Sequence, residues 1–201
     1  MHDVRTHVQG NAAVAVTRAR GDACGMRSTQ VHLRRFAADD LDWYLAAVND
    51  PAVIGPHNWS RHRTADDVRE EVEEDPTGRS GGRVVALPDG TAIGHAGWRC
   101  QRWGPSERSW CPAIGLWVGP PHRGYGYGTQ AQRLLVDHLF ATTTVARVEA
   151  DTAVDNPAEQ RALEKAGFTR EGIVRSCEWR DGRWHDHLLY SVLRTDWPAA
   201  R

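Results

Sequence analysis

Apolar and polar residues alternate from Val31 to Arg34, which predicts a first strand. Asp39 and Asp40 then stand where a helix is capped. Leu41, Tyr44, Leu45 and Val48 recur on one face of that helix until Asp50-Pro51 stops it. Residues 52–62 carry no period and read as irregular. Thr64 to Asp67 open a second helix, with Val68 and Val72 apolar and Glu70, Glu71, Glu73, Glu74 and Asp75 acidic. Its acidic face suits either plain solvation or attraction of a cation. Pro76 to Gly82 reads as a mobile, glycine-rich connector. Arg83 to Leu87 and Thr91 to Arg102 are strands joined by the turn Pro88-Asp89-Gly90. Ser109 to Val118 is a central strand, and Ala131 to Phe140 is a helix. Val145 to Asp151 is a strand that a right-handed crossover would set beside the central one. Asn156 to Ala166 is a helix ended by Gly167. Thr169 to Trp179 and Arg183 to Leu193 form a hairpin around Asp181-Gly182.

Composition narrows the class. The chain has 201 residues, a formal net charge of −1 and a pI near 6.8, so no global field favours nucleic acid or a membrane surface. No apolar run approaches the ~18 residues of a membrane span. Residues 1–26 lack the apolar core of a signal peptide and read as a flexible tail, which leaves a cytoplasmic protein as the expectation. Cys24, Cys100, Cys111 and Cys177 show neither disulfide nor metal spacing, and no metal is expected. His185 and His187 alternate on the last strand with no third ligand in sight and read as solvent-facing. Trp98, Trp103, Trp110 and Trp117 gather near the central strand as candidate pocket walls.

The candidate chemistry lies between the central strand and its helix, in Pro120-Pro121-His122-Arg123-Gly124-Tyr125-Gly126-Tyr127-Gly128-Thr129. Glycines at alternate positions let the backbone turn tightly and bring several amides to one point at a helix N-terminus. A phosphate or pyrophosphate is the ligand such amides suit, although a plain strand-to-helix turn has the same composition. The loop lacks the Gly-Lys-Ser/Thr ending of a nucleoside-triphosphate loop and the Gly-x-Gly-x-x-Gly of a dinucleotide fold.

Arg123, Gly126 and Gly128 give Arg-x-x-Gly-x-Gly. This string resembles the acyl-coenzyme A loop of the GNAT superfamily of N-acetyltransferases, and the fuller run resembles its RimJ/RimL-type branch. Asn156 to Phe168 is similar to the Asn-x-x-Ser/Ala…Glu-Lys-x-Gly-Phe helix of the same superfamily. The resemblance implies an α/β domain (α+β in some schemes) over residues 27–197, with tails at 1–26 and 198–201. Its sheet would be mixed and mostly antiparallel, of about seven strands with a parallel, splayed central pair, flanked by about four helices. It implies acetyl transfer from acetyl-coenzyme A to a primary amine of a small molecule or a protein N-terminus, directly in a ternary complex. A non-catalytic module that keeps the coenzyme A cleft is the alternative.

By the same resemblance, Leu116, Trp117 and Val118 would hold the pantetheine arm by main chain. Arg123, Gly124, Tyr125, Gly126, Tyr127, Gly128 and Thr129 would cradle the pyrophosphate, and Asn156 would bond the pantetheine. Lys165, the sole lysine of the chain, would reach a phosphate or stay a solvated helix residue. His57 and Trp59 are candidates for the acceptor, or loop packing. The family's usual base and acid are missing: Ala113 and Leu163 occupy those registers, and Glu159 replaces a serine. Glu159 and Tyr127 are therefore the catalytic candidates. Glu149, Asp151, His95 or Glu107 could instead act through water, or positioning alone could suffice. Glu159 also suits the start of any helix. A homodimer through the C-terminal hairpin is a further expectation.

Overall fold

A computed structural model of the protein describes residues 30–57 and 62–198. The expected 1–26 tail and Trp59 lie outside the described residues. The strands are β1 (His32–Arg34), β2 (Gly81–Ala86), β3 (Ala92–Arg102), β4 (Trp110–Val118), β5 (Arg147–Ala153), β6 (Thr169–Arg180) and β7 (Arg183–Leu193). The helices are α1 (Leu41–Val48), α2 (Pro51–Ile54), α3 (Ala65–Val72), α4 (Tyr127–Thr142) and α5 (Pro157–Ala166). All seven strands form one sheet in the order β1-β2-β3-β4-β5-β7-β6. The β4–β5 pair is parallel and its neighbours are antiparallel, as the sequence implied.

Side-chain alternation along β4 sorts the two layers. Ile114, Leu116 and Val118 join the larger core with Leu135, Leu139 and Tyr127 of α4 and Leu163 of α5. Trp117 turns to the other face and packs with Tyr44, Val48 and Val68 of α1 and α3. No helix among the described residues is long and apolar enough to cross a membrane.

Several local expectations change. The irregular stretch after Asp50 begins with α2, because the Asp50 carboxylate accepts the Ala52 amide and Pro51 is preset for a first turn. Helix α4 starts at Tyr127, so part of the glycine loop is its first turn. Gly81 and Gly82, expected in a mobile connector, are buried in β2, where a Cβ on Gly82 would lie 2.4 Å from His95 Nε2. The acidic face of α3 is not merely solvated: Glu71 pairs with Arg63, and Glu74 just beyond the helix pairs with Arg83 at 2.7 Å. His185 and His187 do not face solvent. His185 is buried against Arg180, while His187 sits between Asp151 and Glu178 at 2.6 and 3.1 Å.

Candidate functional site

The parallel pair makes the opening. β4 and β5 are in register only at Ala113↔Glu149 and Ile114↔Ala150, after which β5 continues with β7 alone. The Gly119 amide donates to the Ile93 carbonyl at 2.8 Å on the β3 side. Strand alternation then turns the polar groups of Leu116 and Val118 away from β3 and into the gap. The Val118 carbonyl accordingly accepts from Arg123 Nε at 2.8 Å. The amide of Val118 is thereby placed to donate to a carbonyl lying in the opening.

Beyond β4 the chain turns through Pro120–His122 to Gly126, the residue that caps α4 in a left-handed conformation (φ 81°, ψ 4°). A side chain there would be strained. The first-turn amides of Tyr127, Gly128 and Thr129 have no acceptor within their own helix. They line a cavity of about 580 Å³, at the positive end of the helix dipole. That volume suits a small-molecule site.

The sequence candidates converge here. Leu116, Trp117, Val118, Arg123, Gly124, Gly126, Tyr127, Gly128, Thr129, Asn156, Glu159 and Lys165 all line this cavity. Tyr125 does not: it is exposed and stacks on Tyr127, with ring centroids 5.7 Å apart. Arg123 lines the cavity, but its head group is held by the carbonyls of Val118 and Val53, so it ties α2 to the end of β4. His122, Arg161 and Lys165 complete a basic wall against which Glu159 is the one acid among the described residues. Asn156 caps α5 by accepting from the Glu159 amide, and its amide group donates to Thr152 at 3.1 Å.

A second cavity of about 190 Å³ lies against β4 and β5 and shares His57, Leu116, Asn156 and Glu159 with the first. Its far wall carries Arg99, Gly115, Asp151 and His187. An added Cβ on Gly115 would meet nothing within 4 Å, so the floor of this opening is bare backbone. The hydrogen bond to Asp151 holds the His187 imidazole above its usual range, and the same bond holds Asp151 below the usual carboxylate range.

Glu159 stands where the cavities meet. Burial pushes its carboxyl up to about 7, against the opposing effect of a hydrogen bond from Gln132 Nε2 at 2.5 Å. A carboxyl poised near neutrality is the form a general base requires. The other proton-transfer candidates divide. Asp151 lines the second cavity. His95 is 3% exposed under α1, bonded to the Tyr44 hydroxyl at 3.2 Å and pushed down to about 3 by burial, so it is a neutral core residue. Glu149 is buried and engaged by Arg147 at 2.8 Å and the Trp103 indole at 2.5 Å. Glu107 pairs with Arg79 on the outer turn at 2.9 Å. None of these last three lines either cavity.

Of the four tryptophans, only Trp117 walls the site. Trp98 packs on Arg83 and His138, Trp103 lies under Arg147, and Trp110 lies under Arg79. Sequence reading missed Gln132, which looks like any polar helix residue; it set the 52–62 stretch at the acceptor pocket by resemblance but named only His57 and Trp59 there, not the Ile54–Gly55–Pro56 corner, which lacks periodicity. The Pro at a first helical position after Asp50 was the available signal for that corner.

Comparison with known proteins places the fold. The chain is 40% identical over 83 residues to "Probable N-acetyltransferase YjcK" of Bacillus subtilis (strain 168), covering 41% of this chain and 46% of that protein. It is 30% identical over 80 residues to the ribosomal-protein-serine acetyltransferase of Escherichia coli (strain K12), covering 40% of this chain and 45% of that protein. The chain thus spans about half the length of the curated relatives it matches. Among solved structures, Mycobacterium smegmatis RimJ in complex with CoA-disulfide superposes with a TM-score of 0.70 at 25% identity, over 84% of each chain. The family model for the acetyltransferase (GNAT) domain matches residues 30–169, and the chain belongs to that family.

Proposed function

We propose that this protein transfers an acetyl group from acetyl-coenzyme A to a primary amine of a small molecule or a protein N-terminus, in a ternary complex. The observation that carries the reading is a pair of adjoining cavities, one against the glycine-loop amides and one against the parting strands β4 and β5, with Glu159 in the walls of both. The CoA-disulfide in the RimJ complex and the ribosomal-protein-serine acetyltransferase among the relatives support the same reading.

In the proposed reaction the first-turn amides of α4, with His122, Arg161 and Lys165, bind the diphosphate. The pantetheine lies along Leu116–Val118 and the Val118 amide polarises the thioester carbonyl. Glu159 takes a proton from the acceptor ammonium at neutral pH, directly or through one water. The amine lone pair then attacks the carbonyl carbon. The tetrahedral intermediate collapses with cleavage of the carbon–sulfur bond; the nitrogen sheds its extra proton as the amide forms, and the departing thiolate takes up that proton, directly or through water. Tyr127 shapes the loop face of the cavity, its ring buried in the core. Positioning in one cleft supplies the remaining acceleration.

The test is incubation with acetyl-coenzyme A and a panel of N-terminal peptides, polyamines and aminoglycosides, with released thiol titrated. Thiol release that depends on an amine supports the reading. Binding of coenzyme A without turnover on any amine leaves a binding module, and no binding removes both. The hairpin β6–β7 exposes Ile173, Val174, Trp179 and Trp184, which favours a homodimer through this face. Light scattering that gives a monomer mass at all concentrations would refute that assembly.

A further inference from the structure

Gln132 is an unusual resident of the core beneath α4. It is 1% exposed, on the helix face that also buries Leu135, Val136 and Leu139. An amide in such surroundings is costly unless both its ends are bonded. One end is: Nε2 donates to Glu159 Oε1 across the gap between α4 and α5. The other is not: Oε1 is buried and has no partner among the described residues. Both Gln132 and Glu159 line the cavity on the acceptor side of the parted strands, and Gln132 does not line the coenzyme side. The Gln132–Glu159 pair thus sits in the wall of the second cavity, joined by one bond across the two helices.

We propose that Gln132 is a positioning residue: it clamps the Glu159 carboxyl between α4 and α5 so that the second carboxyl oxygen faces the acceptor cavity. A primary ammonium entering there meets that oxygen. The clamp also acts on the proton. A donor to a carboxylate favours the charged form, so it offsets part of the burial that favours the neutral one. Other charged groups share these walls. Arg161 and Lys165 lie on α5, His57 beyond α2, His122 and Arg123 before α4, Arg99 on β3, Asp151 on β5 and His187 on β7. Asp155 lies 3.5 Å from His57. The role rests on the acetyl-transfer reading, but the clamp itself can be measured without turnover.

The experiment follows the carboxyl resonances of protein labelled with carbon-13 glutamate as pH is varied, with Glu159 assigned by its loss in Glu159→Gln. In Gln132→Met the midpoint of Glu159 rises by about one pH unit, the effect of removing one charge-assisted donor. A midpoint that does not move overturns the clamp. On the unaltered protein, the Gln132 side-chain nitrogen resonance shifts with the Glu159 midpoint and stops titrating in Glu159→Gln. A Gln132 resonance flat across that range overturns the proposal whether or not the methionine variant folds. Where an acceptor turns over, the acid limb of kcat/KM moves with the midpoint, and Gln132→Met adds no further loss to Glu159→Gln. A shifted midpoint in a protein that acetylates no amine keeps the clamp and removes the acetyl-transfer reading. Turnover with an unshifted midpoint does the reverse.

Discussion

Replacing Gly126 by alanine separates the work of the glycine loop from its folding. Gly126 has φ 81°, and an added Cβ meets no protein atom within 4 Å, so the folded state suffers backbone strain but no clash. That strain is about 1–2 kcal/mol, which for a chain of this size lowers Tm by about 2–8 °C. Gly90, in the turn between β2 and β3, has φ 89° and an equally open surrounding, and it lines neither cavity of the site. Gly90→Ala therefore has the same stability cost and serves as the control. The two variants part on coenzyme A binding. A methyl group on the loop face hinders the approach of the diphosphate to the first-turn amides. Loss of one amide–phosphate hydrogen bond is about 1.5–3 kcal/mol, or roughly 10- to 150-fold in Kd. Calorimetric titration with coenzyme A, beside thermal melts, reads both effects. Matched melting losses with binding weakened only in Gly126→Ala are expected. If Gly126→Ala binds within about twofold of the parent, well under 1.4 kcal/mol, the loop is not the phosphate cradle.

Three further outcomes follow from the same geometry. Glu159→Gln loses the acid limb of the kcat/KM profile near pH 7 and falls by about 10²–10⁴-fold on the plateau; an unchanged limb assigns the base elsewhere. Asn156→Ala removes the α5 cap and the bond to Thr152, so chemical denaturation finds about 1 kcal/mol less stability, with weaker coenzyme A binding beside it. His187→Gln costs about 0.5–1 kcal/mol between the ordinary carboxylate value of 3.8 and the ordinary imidazole value of 6.5. The imidazole is raised, so its contribution is complete below 6.5 and fades as pH rises through the folded value. Asp151 is lowered, so its share fades as pH falls through its own folded value. A stability difference flat from acid to alkaline pH would contradict that pairing.

Short-range chemistry made much of the site legible. The glycine turn before α4, the helix start at Asn156 and the strand end at Leu116–Val118 are properties of local backbone, and each lies where its sequence pattern put it. What escaped depends on contacts distant in sequence. Nothing near Gln132 announces Glu159, 27 positions away, and nothing near Arg123 announces the Val53 carbonyl, 70 positions away. His95 reads as an available base in a strand; only its register opposite Trp117, under Tyr44, makes it a buried neutral ring. The same holds for the tryptophans, which cluster in sequence but divide among different layers and turns once the sheet is assembled.

A crystal structure with coenzyme A bound tests the central claim most directly. The account predicts the diphosphate within hydrogen-bonding distance of the amides of residues 126–129, the pantetheine between β4 and β5 beyond Ile114, and the sulfur facing Glu159. A coenzyme seated elsewhere, or reaching the acceptor cavity without passing between those strands, would contradict it.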